Sequence, residues 1–159
     1  MSDKQRTIFS THLQGPDKGR WIKLDDTMTF PPTGGKFVGY KTADGHLGFV
    51  NGNNTGGKLL GFLQANLVDH LTRRAGEELF LIFDHDAVFS IRTSDLTTPV
   101  KIGQGFGLTI VNGEQVLNVA APGAHVIVED PDHPGVHLGA NGLPDARFVL
   151  VKLNPAVLA

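Results

Sequence analysis

Residues 106–119, FGLTIVNGEQVLNV, place two short apolar-rich runs on either side of Asn112 and Gly113. An Asn-Gly pair readily adopts the positive φ angles that a two-residue type I′ turn requires. We therefore predict a β-hairpin that turns at Asn112 and Gly113. A strand should precede the turn and another should follow it.

The same pattern of short apolar runs separated by turn residues extends along most of the chain. Examples are KFVGY and HLGFV around the Asp44-Gly45 turn signal, the apolar run ELFLIF, and ARFVLVKL near the end. Roughly eight to ten such runs predict an all-β fold, a single antiparallel β-sandwich or barrel-like domain. At most one short helix is expected, in ANLVDHLTRRAG, where Asn66 could cap the start and Gly76 could end it.

The first 35 residues differ from the rest because they are polar and carry only isolated apolar side chains. They end in FPPTGG, whose prolines favour extended backbone and donate no hydrogen bond from their nitrogens. We predict an extended N-terminal arm over residues 1–35 and a β-rich domain over residues 36–159. The alternative is that Trp21 and Ile22 form an edge strand of the core.

Composition excludes several classes of function. The chain of 159 residues has no cysteine, so it has no disulfide, thiol nucleophile or iron–sulfur cluster. This fits a reducing compartment, or a virus particle assembled in a cytoplasm. The net charge is −2 and the basic residues are scattered, so direct nucleic-acid binding is not expected. No apolar run approaches the length that spans a bilayer and no signal peptide is recognisable, so no membrane association is expected.

Two histidine-containing segments are candidates for chemistry, and we interpret both as surface turns. In PDHPGVH, His133 and His137 would share one face only on a helix, and the prolines there oppose a helix. In FDHD, Asp84, His85 and Asp86 lie between two apolar runs, which predicts a polar hairpin turn. We therefore expect no catalytic residue, no metal ligand, no cofactor site and no enzyme activity.

Three stretches together resemble a known family. They are GKFVGYKTADGHLGFV, GKLLGFLQAN and RRAGEELFLIFDHDAVFSIR. Their order is similar to that in the small β-rich decoration, or cement, proteins of tailed-phage heads. The resemblance covers residues 36–153. It implies a structural protein on the outer surface of a bacteriophage capsid in the virion, made in the host cytoplasm. Its partners would be the major capsid protein, whose neighbouring subunits it would bridge and stabilise, and copies of itself as a homo-oligomer such as a trimer.

Five residues are candidates for contact with such partners. Isolated large apolar residues on a polar arm can insert into pockets of a neighbour, which singles out Trp21, Ile22 and Phe30. His133 and His137 would belong to a contact loop. Three other functions stay open: a tail or baseplate β-domain of a virion, a carbohydrate- or ligand-binding β-module, and a small hydrolase or metal enzyme. Exposed aromatic rings lining one groove would favour sugar binding, and a metal at the two histidines would favour an enzyme.

Overall fold

A computed structural model describes residues 11–14, 18–30, 37–64, 72–93, 99–118, 120, 123–138, 140–142 and 144–158. The strands in chain order are β1 (Thr11–Gln14), β2 (Gly19–Lys23), β3 (Met28–Thr29), β4 (Phe37–Tyr40), β5 (Leu47–Phe49), β6 (Gly61–Gln64), β7 (Thr72–Arg73), β8 (Glu78–Ile82), β9 (Val88–Arg92), β10 (Gly105–Val111), β11 (Glu114–Asn118), β12 (Val126–Leu138) and β13 (Pro144–Leu153). Within these ranges there is no helix. Accordingly, no described segment is a helix of the length and apolarity needed to cross a bilayer.

The strands form two sheets and a short ribbon. Sheet A has six strands in the order β1-β9-β13-β12-β10-β11, sheet B has five in the order β2-β8-β6-β4-β5, and β3 pairs with β7. All neighbouring strands are antiparallel. Sheet A curls, so that Leu117 of β11 bridges to Thr93 just after β9. The prediction of an all-β, sandwich or barrel-like fold is confirmed.

Sheet B has a hydrophobic core on each face. Strands that are buried on both faces carry apolar residues at successive positions, as the near-continuous apolar runs of the sequence do. On β8, Leu81 belongs to one core and Ile82 to the other. The first core fills the space between sheets A and B, where the rings of Phe37, Phe62 and Phe89 contact one another. The second core covers the opposite face of sheet B, and its members come largely from residues 24–30 and β4–β8.

The predicted arm needs correction over its described part. β2 pairs with β8 along its whole length, and Leu24, Met28 and Phe30 are buried in the second core. Residues 18–30 are therefore built into the domain, because their isolated apolar side chains complete a layer that sheet B cannot cover by itself. Trp21 and Ile22 lie on an edge strand, which was the alternative interpretation. Residues 1–10 and 31–36 lie outside the described part of the chain.

The hairpin at Asn112 is confirmed. β10 and β11 pair from Val111 and Glu114 outward, with φ of 51° at Asn112 and 79° at Gly113.

The prediction of a helix over ANLVDHLTRRAG is wrong at its C-terminal end, because Thr72–Arg73 is a strand. Residues 65–71 lie outside the described part of the chain. FDHD is a turn as predicted, but it leads from β8 in sheet B to β9 in sheet A and so does not close a hairpin.

The predicted loop around His133 is instead part of a long strand. β12 runs through both prolines of PDHPGVH and pairs with β13 on either side. Between the pairs Asp130↔Leu150 and Gly135↔Phe148, residues 131–134 have no Cα partner. This bulge accommodates Pro131 and Pro134, because unpaired positions do not need the N–H that proline lacks. The surface-loop prediction is therefore wrong for this backbone.

Candidate functional site

The most exposed aromatic side chain of the described residues is Trp21 on β2. It is the only tryptophan in the chain, and 66% of its surface is exposed. Its ring stands edge-on against Phe80 of β8, with the ring centroids 5.5 Å apart. Phe80 in turn packs against the first core. The indole is therefore held by a half-buried support and presents most of its surface to the outside, as a contact residue would.

Tyr40 is also exposed, at 49%, but it does not share a surface with Trp21. Side chains alternate along a strand, so Tyr40 points to the same face of sheet B as Val38 of the second core. Trp21 lies on the other face, beside Phe80. These two rings therefore do not line one groove.

The other predicted contact residues have different environments. Ile22 is half-buried against the second core. Phe30 is fully buried, with its ring 5.0 Å from that of Phe49, so the prediction that it contacts a partner is wrong. His133 lies in the bulge of β12, and His137 pairs with Ala146 of β13; their side chains lie outside the described residues.

A polar cluster joins the residues after β2 to the β4–β5 hairpin. The Asp26 Oδ2 atom lies 2.9 Å from His46 Nδ1 and 3.9 Å from Lys41 Nζ, which also pairs with Asp44 at 3.2 Å. The hydrogen bond to Asp26 raises the pKa of His46. The backbone N–H of His46 donates to Asp44 Oδ1 and lowers the pKa of that carboxyl. Asp25 accepts the N–H of Leu47, so the cluster fastens the two segments together.

This cluster contains three groups that could bind a cation, namely Asp26, Asp44 and His46, with ligand atoms within 4.8 Å of one another. However, Lys41 already forms ion pairs with both carboxylates, and a raised pKa of His46 favours the protonated imidazole, which has no lone pair to donate. We interpret the cluster as a structural ion-pair network. The sequence marked Asp44 and Gly45 as a turn, but it gave no signal that a carboxylate some twenty positions earlier would meet this turn.

The Asp84 turn carries the half-buried Asp84 and the exposed side chains of His85 and Asp86. The Asp86 N–H donates to Asp84 Oδ1 at 2.9 Å, and His85 Nε2 lies 3.7 Å from Asp86 Oδ1. The first contact is a local turn bond, and the second joins two side chains that are both more than half exposed. Such an arrangement shapes a turn and does not hold acid and base groups across a substrate.

Two buried polar residues serve the packing of the domain. Gln115 of β11 bonds to the backbone of Phe37 and Val50 at the edge of sheet B. His125 is fully buried, neither of its ring nitrogens has a hydrogen-bond partner among the described residues, and burial lowers its pKa. Sequence reasoning singled out neither residue, because Gln115 bonds to segments that are distant in the chain and the burial of His125 depends on tertiary packing.

A cavity of about 270 Å³ opens beside β2. Its lining is apolar except for one cation, and comprises Arg20, Leu60, Leu81, Phe83 and Leu158.

No family model, curated protein or solved structure matches this chain.

Proposed function

We propose that this protein is a capsid decoration protein, which binds the outer surface of a phage head and bridges neighbouring major capsid subunits. The observation that carries the proposal is the exposed indole of Trp21, held on an edge strand by Phe80. A fixed, exposed aromatic ring loses little conformational entropy on binding and is a frequent centre of protein interfaces. The resemblance of residues 36–153 to decoration proteins suggests the major capsid protein as the partner.

The charge distribution and the polar clusters agree with a role that depends on contact. The net charge of −2 suits an outer capsid surface better than one that faces packaged DNA. Both described groups of acidic and histidine side chains, at Asp26 and at Asp84, are engaged in turns or ion pairs. Function through contact repeated over a shell requires no active site, so we propose that the protein is not an enzyme.

The test is to locate the protein on purified particles by electron cryomicroscopy, with and without the gene that encodes it. We expect density on the outside of the head that disappears in particles lacking the protein. Density on the tail or baseplate would overturn the proposal in favour of another virion role. Absence of the protein from the particles would overturn any virion role.

A binding assay tests the contribution of Trp21. Shells that lack the protein are mixed with the wild type, Trp21→Ala or Tyr40→Ala, and bound protein is measured after sedimentation. The Trp21 variant should bind about tenfold more weakly or worse, since central aromatic residues contribute about 2 kcal/mol or more. Tyr40 is the matched control on the opposite face and should change binding little. Equal binding by the Trp21 variant would remove Trp21 from the interface.

A further inference from the structure

Among the described residues, no strand pairs with the outer edge of β2. The Leu24 N–H donates to Glu77, and the Lys18 carbonyl accepts from Phe83, so even-numbered residues of β2 direct their backbone groups toward β8. Backbone groups alternate along an antiparallel strand. Those of Gly19, Trp21 and Lys23 therefore point away from the sheet, and no strand of the described chain pairs with them.

The opposite edge of sheet B is protected. On β5, the outward N–H of Leu47 donates to Asp25, and the outward carbonyl of Phe49 accepts from the Asn54 side chain at 2.9 Å. Side chains thus occupy two of the outward backbone groups that could recruit another strand. β2 has no such caps among the described residues, so it is the edge of this sheet that can accept a further strand.

The side chains along β2 indicate what that strand would carry. Lys18, Arg20 and Lys23 are exposed, and none of them forms an ion pair within the described chain. Arg20 also lies at the apolar cavity of about 270 Å³, on the face of sheet B opposite to Trp21. An added strand would direct alternate side chains to Trp21 on one face and to the cavity on the other.

We propose that the β2 edge binds an extended acidic segment of a partner protein by strand addition. The segment pairs with the backbone of Gly19, Trp21 and Lys23, and its carboxylates meet Arg20 and Lys23. This inference rests on the proposed function, because it names the kind of capsid-protein segment that the decoration protein would engage. It commits to an acidic partner, because an antiparallel pair of two β2 strands centred on Trp21 would place the two Arg20 side chains at diagonal positions on one face and would supply no carboxylate to them.

The probe is a blocked synthetic peptide of about ten residues, the length of a long strand. Valine and threonine alternate in it, with two glutamates three positions apart so that one lies on each face. Its counterpart carries lysine in place of both glutamates. Trp21 is the sole tryptophan, so its fluorescence reports directly on the edge. The glutamate peptide should produce a saturable blue shift and the lysine peptide none.

Variants separate the contribution of the cationic side chains to peptide affinity from the contribution of the backbone hydrogen bonds. Arg20→Gln/Lys23→Gln should weaken binding by about tenfold or more, while the control Lys58→Gln/Lys101→Gln leaves it unchanged. Lys23→Pro removes an outward N–H but no bond to β8, so it should fold and bind far more weakly than Lys23→Gln. Circular dichroism checks that each variant folds.

Three outcomes would overturn the inference. They are no saturable shift with the glutamate peptide, an equal shift with the lysine peptide, and equal affinity of the Lys23→Pro and Lys23→Gln variants. Concentration-dependent dimerisation that Lys23→Pro abolishes would also overturn it, and would assign the edge to a second copy. The peptide assay uses no capsid, so its failure leaves the decoration proposal to be judged by the particle images.

Discussion

Replacing Gln115 with methionine should lower the free energy of unfolding by about 4 kcal/mol, although the change conserves shape and retains a residue compatible with burial. The Gln115 side chain is 1% exposed and spans the two sheets. Its Oε1 accepts the Phe37 N–H at 2.8 Å, and its Nε2 donates to the carbonyls of Phe37 at 2.8 Å and Val50 at 2.9 Å. One side chain from sheet A therefore satisfies three backbone groups at the edge of sheet B.

The magnitude follows from the groups that methionine would leave unpaired. The Phe37 carbonyl keeps a second donor, the Val50 N–H at 3.0 Å. The Phe37 N–H and the Val50 carbonyl have no replacement among the described residues. A buried polar group without a partner costs about 1–3 kcal/mol, so two of them give about 4 kcal/mol. Domains of this size have a free energy of unfolding of roughly 5–15 kcal/mol, so the variant should still fold but with a lower free energy of unfolding.

Urea denaturation followed by far-ultraviolet circular dichroism measures this change. The midpoint should fall for Gln115→Met while the slope of the transition stays constant, as expected when only stability changes. Gln104→Met is the control, because Gln104 is exposed and its side chain accepts one local bond, from the Lys101 N–H; the effect of this change should stay within about 0.5 kcal/mol. A loss below about 1 kcal/mol for Gln115→Met would refute the reasoning.

Three further predictions concern single residues. Asn112→Pro should destabilise the fold and Asn112→Gly should not, because φ is 51° at this position and proline fixes φ near −65°; thermal unfolding compares the two. The pKa of His125 is lowered by burial, so below about pH 6.5 the unfolded state binds a proton that the folded state excludes. Stability should therefore fall as the pH is lowered through that range, and His125→Leu should reduce this dependence in urea titrations. The pKa of His46 is raised chiefly by Asp26, so Asp26→Asn should lower the value measured by nuclear magnetic resonance; an unchanged value would show that the ion pair is not formed in solution.

Features that depend on near neighbours in the chain could be predicted from the amino-acid sequence. The Asn112 turn was predictable because Asn-Gly has a conformational preference that needs no distant partner. The all-β class was predictable because short apolar runs and turn residues alternate along the chain. The Asp84 turn was predictable for the same local reason, although its neighbouring strands proved to belong to different sheets.

Tertiary structure alone decided where each segment packs. Residues 24–30 were predicted to belong to a polar arm, because their apolar side chains follow neither a helical nor a strand periodicity. In the structure, Leu24 and Phe30 fill a core whose other half comes from sheet B. The bulge of β12 tolerates two prolines only because β13 pairs on both sides of it. The open edge of β2 likewise depends on which strand ends the sheet. Burial and edge position arise from contacts between distant segments, and local composition does not encode them.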